Sequence, residues 1–265
     1  MQNNIFKNKV NRVFFVLAGL FLTNALVAEF IGVKIFSFEE SLGFTAFNWT
    51  ILGVEGLGFN LTAGVLLWPI VFVLTDIINE YFGHRGVKVL SYAAAALICY
   101  AFVMIYWSIS LDPNDWWQYE SGKLNPDPAH QISDMDLAFR KILGQGLWII
   151  VGSLIAFLIG QIVDVFTFHK IKAITGEKKI WLRATGSTLV SQFIDSFVVL
   201  FVAFYIGADW DLVRVIAIGL VNYTYKFILA IALTPVIYLA HHLIDKYLGP
   251  ELAEELKRKA AIRTT

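Results

Sequence analysis

Leu147-Trp-Ile-Ile-Val-Gly-Ser-Leu-Ile-Ala-Phe-Leu-Ile-Gly-Gln-Ile-Val-Asp-Val-Phe-Thr-Phe168 is a run of 22 residues in which Asp164 carries the only charge. Wound as a helix it is about 33 Å long, enough to cross a hydrocarbon core of about 30 Å. Taken from Ile142, it is the fourth of six apolar stretches of crossing length; the others run approximately Val13 to Phe36, Leu61 to Phe82, Val87 to Ser110, Ala184 to Gly207 and Leu212 to Ala240. The expected fold is all-α: a polytopic integral membrane protein of six transmembrane helices in a single membrane domain, residues 1–265. Outer loops are expected at 37–60 and 111–136, and a charged, solvated tail at 250–265. The first stretch is too long for the apolar core of a signal peptide and no convincing small-x-small site follows it, so it is expected to stay in the mature chain.

Composition agrees. Hydrophobic residues make up 57% of the 265 and charged residues only 16%, against roughly 25% charged in soluble domains. A soluble protein of this length has to wet its own surface and cannot hide so much apolar area in one core. Lysine plus arginine balance aspartate plus glutamate at 21 each, so there is no basic surplus for a nucleic-acid partner. The single cysteine, Cys99, excludes a disulfide framework and a thiolate metal cluster. No Gly-x-x-x-x-Gly-Lys-Ser/Thr phosphate loop occurs, and no metal or cofactor is expected. Transport, intramembrane catalysis and a membrane scaffold remain.

Orientation follows from the cations near the stretch ends. With the N-terminus cytoplasmic, the inner side holds Lys7, Lys9, Arg12, Arg85, Lys88, Lys170, Lys172, Lys178, Lys179, Arg183, Lys246, Lys257, Arg258, Lys259 and Arg263. The outer side holds Lys34, Lys123, Arg140, Lys141 and Arg214, so fifteen face five and both termini are expected inside. The outer loops are acidic, and Trp116 and Trp117 suit an outer interface.

Charges deep in the stretches cost at least ~2.5–3.5 kcal/mol each on insertion scales, so they are expected to face the bundle interior and to act there. In the fifth stretch Ser187, Ser191 and Asp195 recur every four residues beside Thr188 and Gln192, forming one polar stripe. In the fourth, Gly152, Ala156, Gly160 and Asp164 recur likewise, and small residues at that spacing let a neighbouring helix approach closely. Gln161-x-x-Asp164 and Gln192-x-x-Asp195 are thus paired elements on adjacent antiparallel helices. The second stretch sets Asp76, Asn79 and Glu80 on one face, with Pro69 read as a mid-span hinge breaking the hydrogen-bond ladder. The sixth carries Asn222, Lys226, Ala230 and Thr234 on one face, followed by Pro235, a second candidate hinge. Lys226 is the one cation well inside a stretch, set against Glu29, Asp76, Asp164 and Asp195. The candidate substrate ligands are therefore Asp195, Gln192, Asp76, Gln161, Asp164, Asn24 and Ser191, with Lys226, Glu29 and Glu80 as charge-pairing or coupling residues. Carboxylates and amides suit a small, hydrogen-bond-rich solute, on which some of the many aromatic rings would stack.

The sequence resembles the queuosine precursor transporters of the YhhQ type, within the vitamin uptake transporter superfamily. The resemblance is carried by Trp68-Pro69, Thr75-Asp76-Ile-Ile-Asn79-Glu80-Tyr-Phe-Gly83, Gly160-Gln161 to Asp164, Arg183-Ala-Thr-Gly186-Ser187-Thr-Leu-Val-Ser191-Gln192-Phe-Ile-Asp195-Ser, Tyr225-Lys226 and Thr234-Pro235. It implies a six-helix importer of 7-deazaguanine bases, such as the 7-cyano or 7-aminomethyl form, in a bacterial inner membrane. Such a base offers N1–H and 2-amino donors to one carboxylate, Asp195 or Asp76, while Gln192 or Gln161 addresses its carbonyl edge. Proton coupling through Asp76, Asp164 or Asp195 is a candidate drive. The loops at 37–60 and 111–136 are longer than a minimal member's.

Two other classes compete. A substrate-capture subunit of an ATP-driven energy-coupling-factor importer has similar size, but its first-helix Ala-x-x-x-Ala signature is missing here. An intramembrane hydrolase would need a base beside Ser187 or Ser191, yet His84, His130, His169, His241 and His242 are all expected in loops or at helix ends. A pure scaffold leaves the costly polar interior unexplained.

Overall fold

The computed structural model describes residues 8–262 apart from Gln145 and 176–179. Lys7, Lys178, Lys179 and Arg263 of the charge count lie outside the described residues, as does the Arg183 side chain. The principal helices are α1 (Lys9–Ile31), α2 (Trp68–Ile109), α3 (Leu147–Thr175), α4 (Ile180–Leu200), α5 (Leu212–Ala232), α6 (Thr234–Leu248) and α7 (Pro250–Ile262). Among the described residues, five helical stretches are long and apolar enough to cross a membrane, and the second of them, Ala63–Ile109, is 47 residues long. Side-chain caps fix two of the starts: Asn8 accepts the Val10 N–H at 2.9 Å ahead of α1, and Asp211 accepts from Val213 and Arg214 ahead of α5. Each satisfies amides that the first turn leaves unpaired.

Helix α2 is a hairpin. Gly83 breaks it with φ 72 and ψ 179, a region of backbone space open essentially only to glycine. Thr75 and Ser91, equally far on either side of that break, both reach Oε1 of Gln161, at 3.0 and 3.3 Å. In a continuous helix they would stand about 24 Å apart, so residues 68–82 and 84–109 run back along each other. The first half is nearly enclosed: Val71 to Tyr81 are all buried. Helix α1 closes one side with Val13, Leu17, Phe21 and Ala25.

Helices α3 and α4 form the other tight pair. A side chain on Gly152 would begin 3.1 Å from the Val199 carbonyl and 3.2 Å from the Ala203 amide, so the two backbones touch along the small-residue stripe, as its spacing predicts. Helix α4 continues into a π-helical turn at Phe201–Ile206. Facing outward, Val89, Tyr100, Val103, Trp107, Ile162 and Phe166 are each more than 60% exposed, a surface for lipid rather than water.

Three expectations change. Pro69 does not interrupt a helix at mid-span: it lies in the first turn of α2, after the 3-10 turn Ala63–Leu66, and Pro235 opens α6 in the same way. A first-turn proline gives up an N–H that has no intrahelical partner anyway. The connection at 37–60 is not plain loop. β1 (Ile35–Ser37) pairs with β4 (Asn60–Thr62), and β2 (Trp49–Ile51) with β3 (Val54–Leu57), across a turn in which Leu52 and Gly53 both have positive φ. Phe38 and Phe59 from this cap pack on Tyr225 of α5. Finally, the tail is solvated on one face only: α7 lies on the α2 reversal, with Ala253, Lys257 and Ala260 buried and the Ala260 carbonyl against Gly83.

Candidate functional site

The polar stripe of α4 faces inward, onto α2 on one side and α3 on the other. Asp76 of α2, 1% exposed, accepts from Ser187 at 3.3 Å and Thr188 at 3.1 Å. Asp164 of α3, fully enclosed, accepts from Ser191 at 3.0 Å, while its Oδ2 finds no hydrogen-bond partner among the described residues. Two carboxylates therefore hang from one turn and a half of a single helix, held by hydroxyls. Gln161, one turn before Asp164, has its amide clamped by Thr75 and Ser91. The Thr75 hydroxyl also lies 2.9 Å from the Val71 carbonyl, so its one hydrogen is shared between that carbonyl and Gln161 Oε1.

Toward α5 the character changes. Lys226 is ion-paired with Asp195 Oδ2 at 2.5 Å, in a setting where both side chains are less than a fifth exposed. Beside this pair is a small cavity of about 20 Å³, lined among others by Pro69, Thr185, Thr188, Gln192 and Lys226. That is room for one water molecule. Gln192 is 3% exposed, and its Nε2 has no partner among the described residues. Thr185 and Thr234 join α4 to α6 at 2.9 Å.

The sequence-predicted residues thus separate into groups. Asp76, Asp164, Gln161 and Ser191 come together in the core, and Gln192, Asp195 and Lys226 gather at the cavity. Glu29 is buried within electrostatic range of Asp195, taking a hydrogen bond from Ser153. Asn24 turns away: its amide donates to the Leu20 carbonyl of its own helix at 2.8 Å. Glu80 is paired with Lys172 at 3.3 Å, beyond the core cluster.

A second network escaped sequence reading. Tyr81, 1% exposed, donates to Asp245 of α6 at 2.7 Å, lies 3.1 Å from His241 Nδ1, and has Lys257 of α7 over its ring at 5.3 Å. Lys257 also meets Asp245 at 2.9 Å. His169 lies 3.0 Å from Asn79 Oδ1. Against expectation, His241 is not at a helix end but in the middle of α6, and both histidines are packed into the protein. Their signal was present as Tyr81 and Lys257, but nothing in the sequence links positions so far apart.

The comparisons add a family. A family model described as "Putative vitamin uptake transporter" matches residues 62–240. The chain belongs to that family. A "Probable queuosine precursor transporter" of Bacillus subtilis strain 168 is 30% identical over 197 residues, 72% of this chain and 76% of the relative. The "Queuosine precursor transporter" of Escherichia coli K12 is 28% identical over 192 residues, 71% and 76% of the two chains. A third relative, the "Probable queuosine precursor transporter" of Haemophilus influenzae, is 25% identical over 200 residues, 74% and 73%. No solved structure matches. The segment matched by the vitamin uptake transporter family contains α2 to α5, and with them every residue of both the carboxylate core and the cavity.

Outside the spans, Glu39 seals the family member's strand cap. Its Oε1 accepts the Phe59 N–H at 2.7 Å and its Oε2 the Ser37 hydroxyl at 3.3 Å. Burial alone would raise this carboxyl, but the Phe59 amide, its own backbone N–H, Ser37 and Phe47 together hold it below its ordinary value of 4.5.

Proposed function

We propose that the chain imports a queuosine precursor, a 7-deazaguanine base such as the 7-cyano or 7-aminomethyl form, as a secondary transporter of a bacterial inner membrane. The names of its relatives support the substrate class. Six crossings follow from counting each half of the α2 hairpin as one, with both termini cytoplasmic by the fifteen-to-five cation balance.

The observation that carries the reading is the Gln192 amide, buried beside the cavity with an uncommitted donor and within reach of the Asp195–Lys226 pair. The donor suits the carbonyl edge of the base, and Asp195 suits its N1–H and 2-amino donors. A water-sized cavity does not hold a bicyclic ring, so entry of the base requires α4 and α5 to part around Gln192. Lys226 then keeps the Asp195 charge compensated until the base arrives.

Uptake of labelled base by cells lacking the endogenous transporter tests the site. Gln192→Ala at unchanged membrane abundance is expected to lower uptake at limiting substrate by up to about tenfold, the worth of one hydrogen bond. Unchanged uptake removes Gln192 from the site. Competition among the nitrile, the aminomethyl form and queuine identifies the substrate. Uptake into liposomes without ATP separates this reading from a capture subunit that needs an ATP-driven partner.

A further inference from the structure

Among the described residues, the cations buried with the core acids are already committed: Lys226 to Asp195 and Lys172 to Glu80. Among the described residues, Asp76 and Asp164 have only hydroxyls for partners. Two enclosed carboxylates sharing one helix face cannot both carry charge without a compensating cation.

The hydroxyls that hold them have an unusual freedom. Ser187 Oγ lies 3.3 Å from Asp76 Oδ1 and 3.0 Å from the Ala184 carbonyl. Ser191 Oγ lies 3.0 Å from Asp164 Oδ1 and 3.1 Å from the Thr188 carbonyl. Each serine has one hydrogen and two acceptors. When the neighbouring carboxylate is charged, the serine donates to it. When that carboxyl is protonated, the serine turns its hydrogen to the helix carbonyl and accepts instead. A proton can therefore come and go with no buried donor stranded. Asp164 Oδ2, enclosed and without a described partner, is the open acceptor of the set.

We infer that Asp76 and Asp164 hold one exchangeable proton between them and form the coupling site of the transporter, separate from the base subsite at Gln192 and Asp195. The coupling half rests on the transport reading above; proton occupancy does not. The proton arrives from water on one side of the membrane and is returned to water on the other, with no bond to the base formed or broken. The charged and titratable groups facing the site from the packed elements are Glu29 of α1, Glu80 of α2, His169 and Lys172 of α3, Asp195 of α4 and Lys226 of α5. The last two neutralise each other, as do Glu80 and Lys172.

Two measurements test this. Infrared spectra of purified, base-free protein are expected to show a protonated-carboxyl band that disappears on alkaline titration and is lost in Asp76→Asn and Asp164→Asn. In liposomes, a one-unit inward proton gradient is expected to drive up to about tenfold accumulation of labelled base at one proton per base. The two Asn variants should still exchange base for base but accumulate none. Should either variant fail to fold, Ser191→Ala keeps both carboxyls and is expected to shift the titration of the band. Absence of the band across the range where the protein stays folded overturns proton occupancy. Accumulation driven by a sodium gradient alone, or undiminished proton-driven accumulation in both variants, overturns the coupling assignment. A titrating band in a protein that exchanges no base supports proton occupancy and overturns the proposed function.

Discussion

Asp195 and Lys226 show how a single pair constrains the membrane interior. Each side chain is less than a fifth exposed, so removing one partner leaves a charge in a medium that solvates it poorly. Asp195→Asn is expected to cost about 3–5 kcal/mol, read as a fall in thermal stability in detergent. Lys226→Met in the same chain should restore most of that loss without restoring transport. If the single and double variants are equally unstable, the pair is not the source. These charges were legible in the sequence because an ionisable residue deep in an apolar run is costly enough to stand out. Their partners were not: whether Ser187 reaches Asp76 or Ser191 reaches Asp164 depends on helix rotation, which periodicity leaves open within a turn.

At the scale of elements, the α2 hairpin turns on one residue. Gly83→Ala would force a side chain into a backbone region that L residues avoid, with the Ala260 carbonyl 3.2 Å from the new atom. The expected loss is about 1–3 kcal/mol, measured by thermal unfolding, together with faster proteolysis of α7 as its seat deforms. The strand cap responds to acid. Glu39 titrates lower in the folded chain than its ordinary value of 4.5, so its contribution is complete above that value and is lost as pH falls through the folded value. Exchange of the Phe59 amide hydrogen should accelerate over that acid range, and Glu39→Gln should make it fast and independent of pH. The helices themselves were readable from apolar length. Pro69 was misplaced because an apolar run does not reveal that a helix begins inside it, and the short strands escaped because the pairing of residue 36 with residue 61 is not local.

For the whole molecule, the apolar exterior and the polar interior invert the usual soluble arrangement, and one short charged helix departs from the plan. Six of the thirteen residues of α7 are charged, which reads as solvated, yet its Ala253, Lys257 and Ala260 form a narrow buried edge. Composition averages over both faces and hides such an edge. Truncation after Gly249 removes Lys257 from Asp245 and Tyr81. It is expected to lower the thermal midpoint in detergent while leaving the base-exchange activity of the membrane helices measurable; an unchanged midpoint would mean that α7 contributes no stability.

The seat of α7 also imposes an order on biosynthesis. Every element it covers is translated before it, and at about 5–20 residues per second the interval from the hairpin turn to Lys257 is on the order of ten to thirty seconds. Through that interval the Gly83 turn stays uncovered at the bundle end, and it closes only when α7 arrives. A chain whose synthesis stops early thus carries a mark that a finished one lacks, readable by any protease or chaperone stationed at that face.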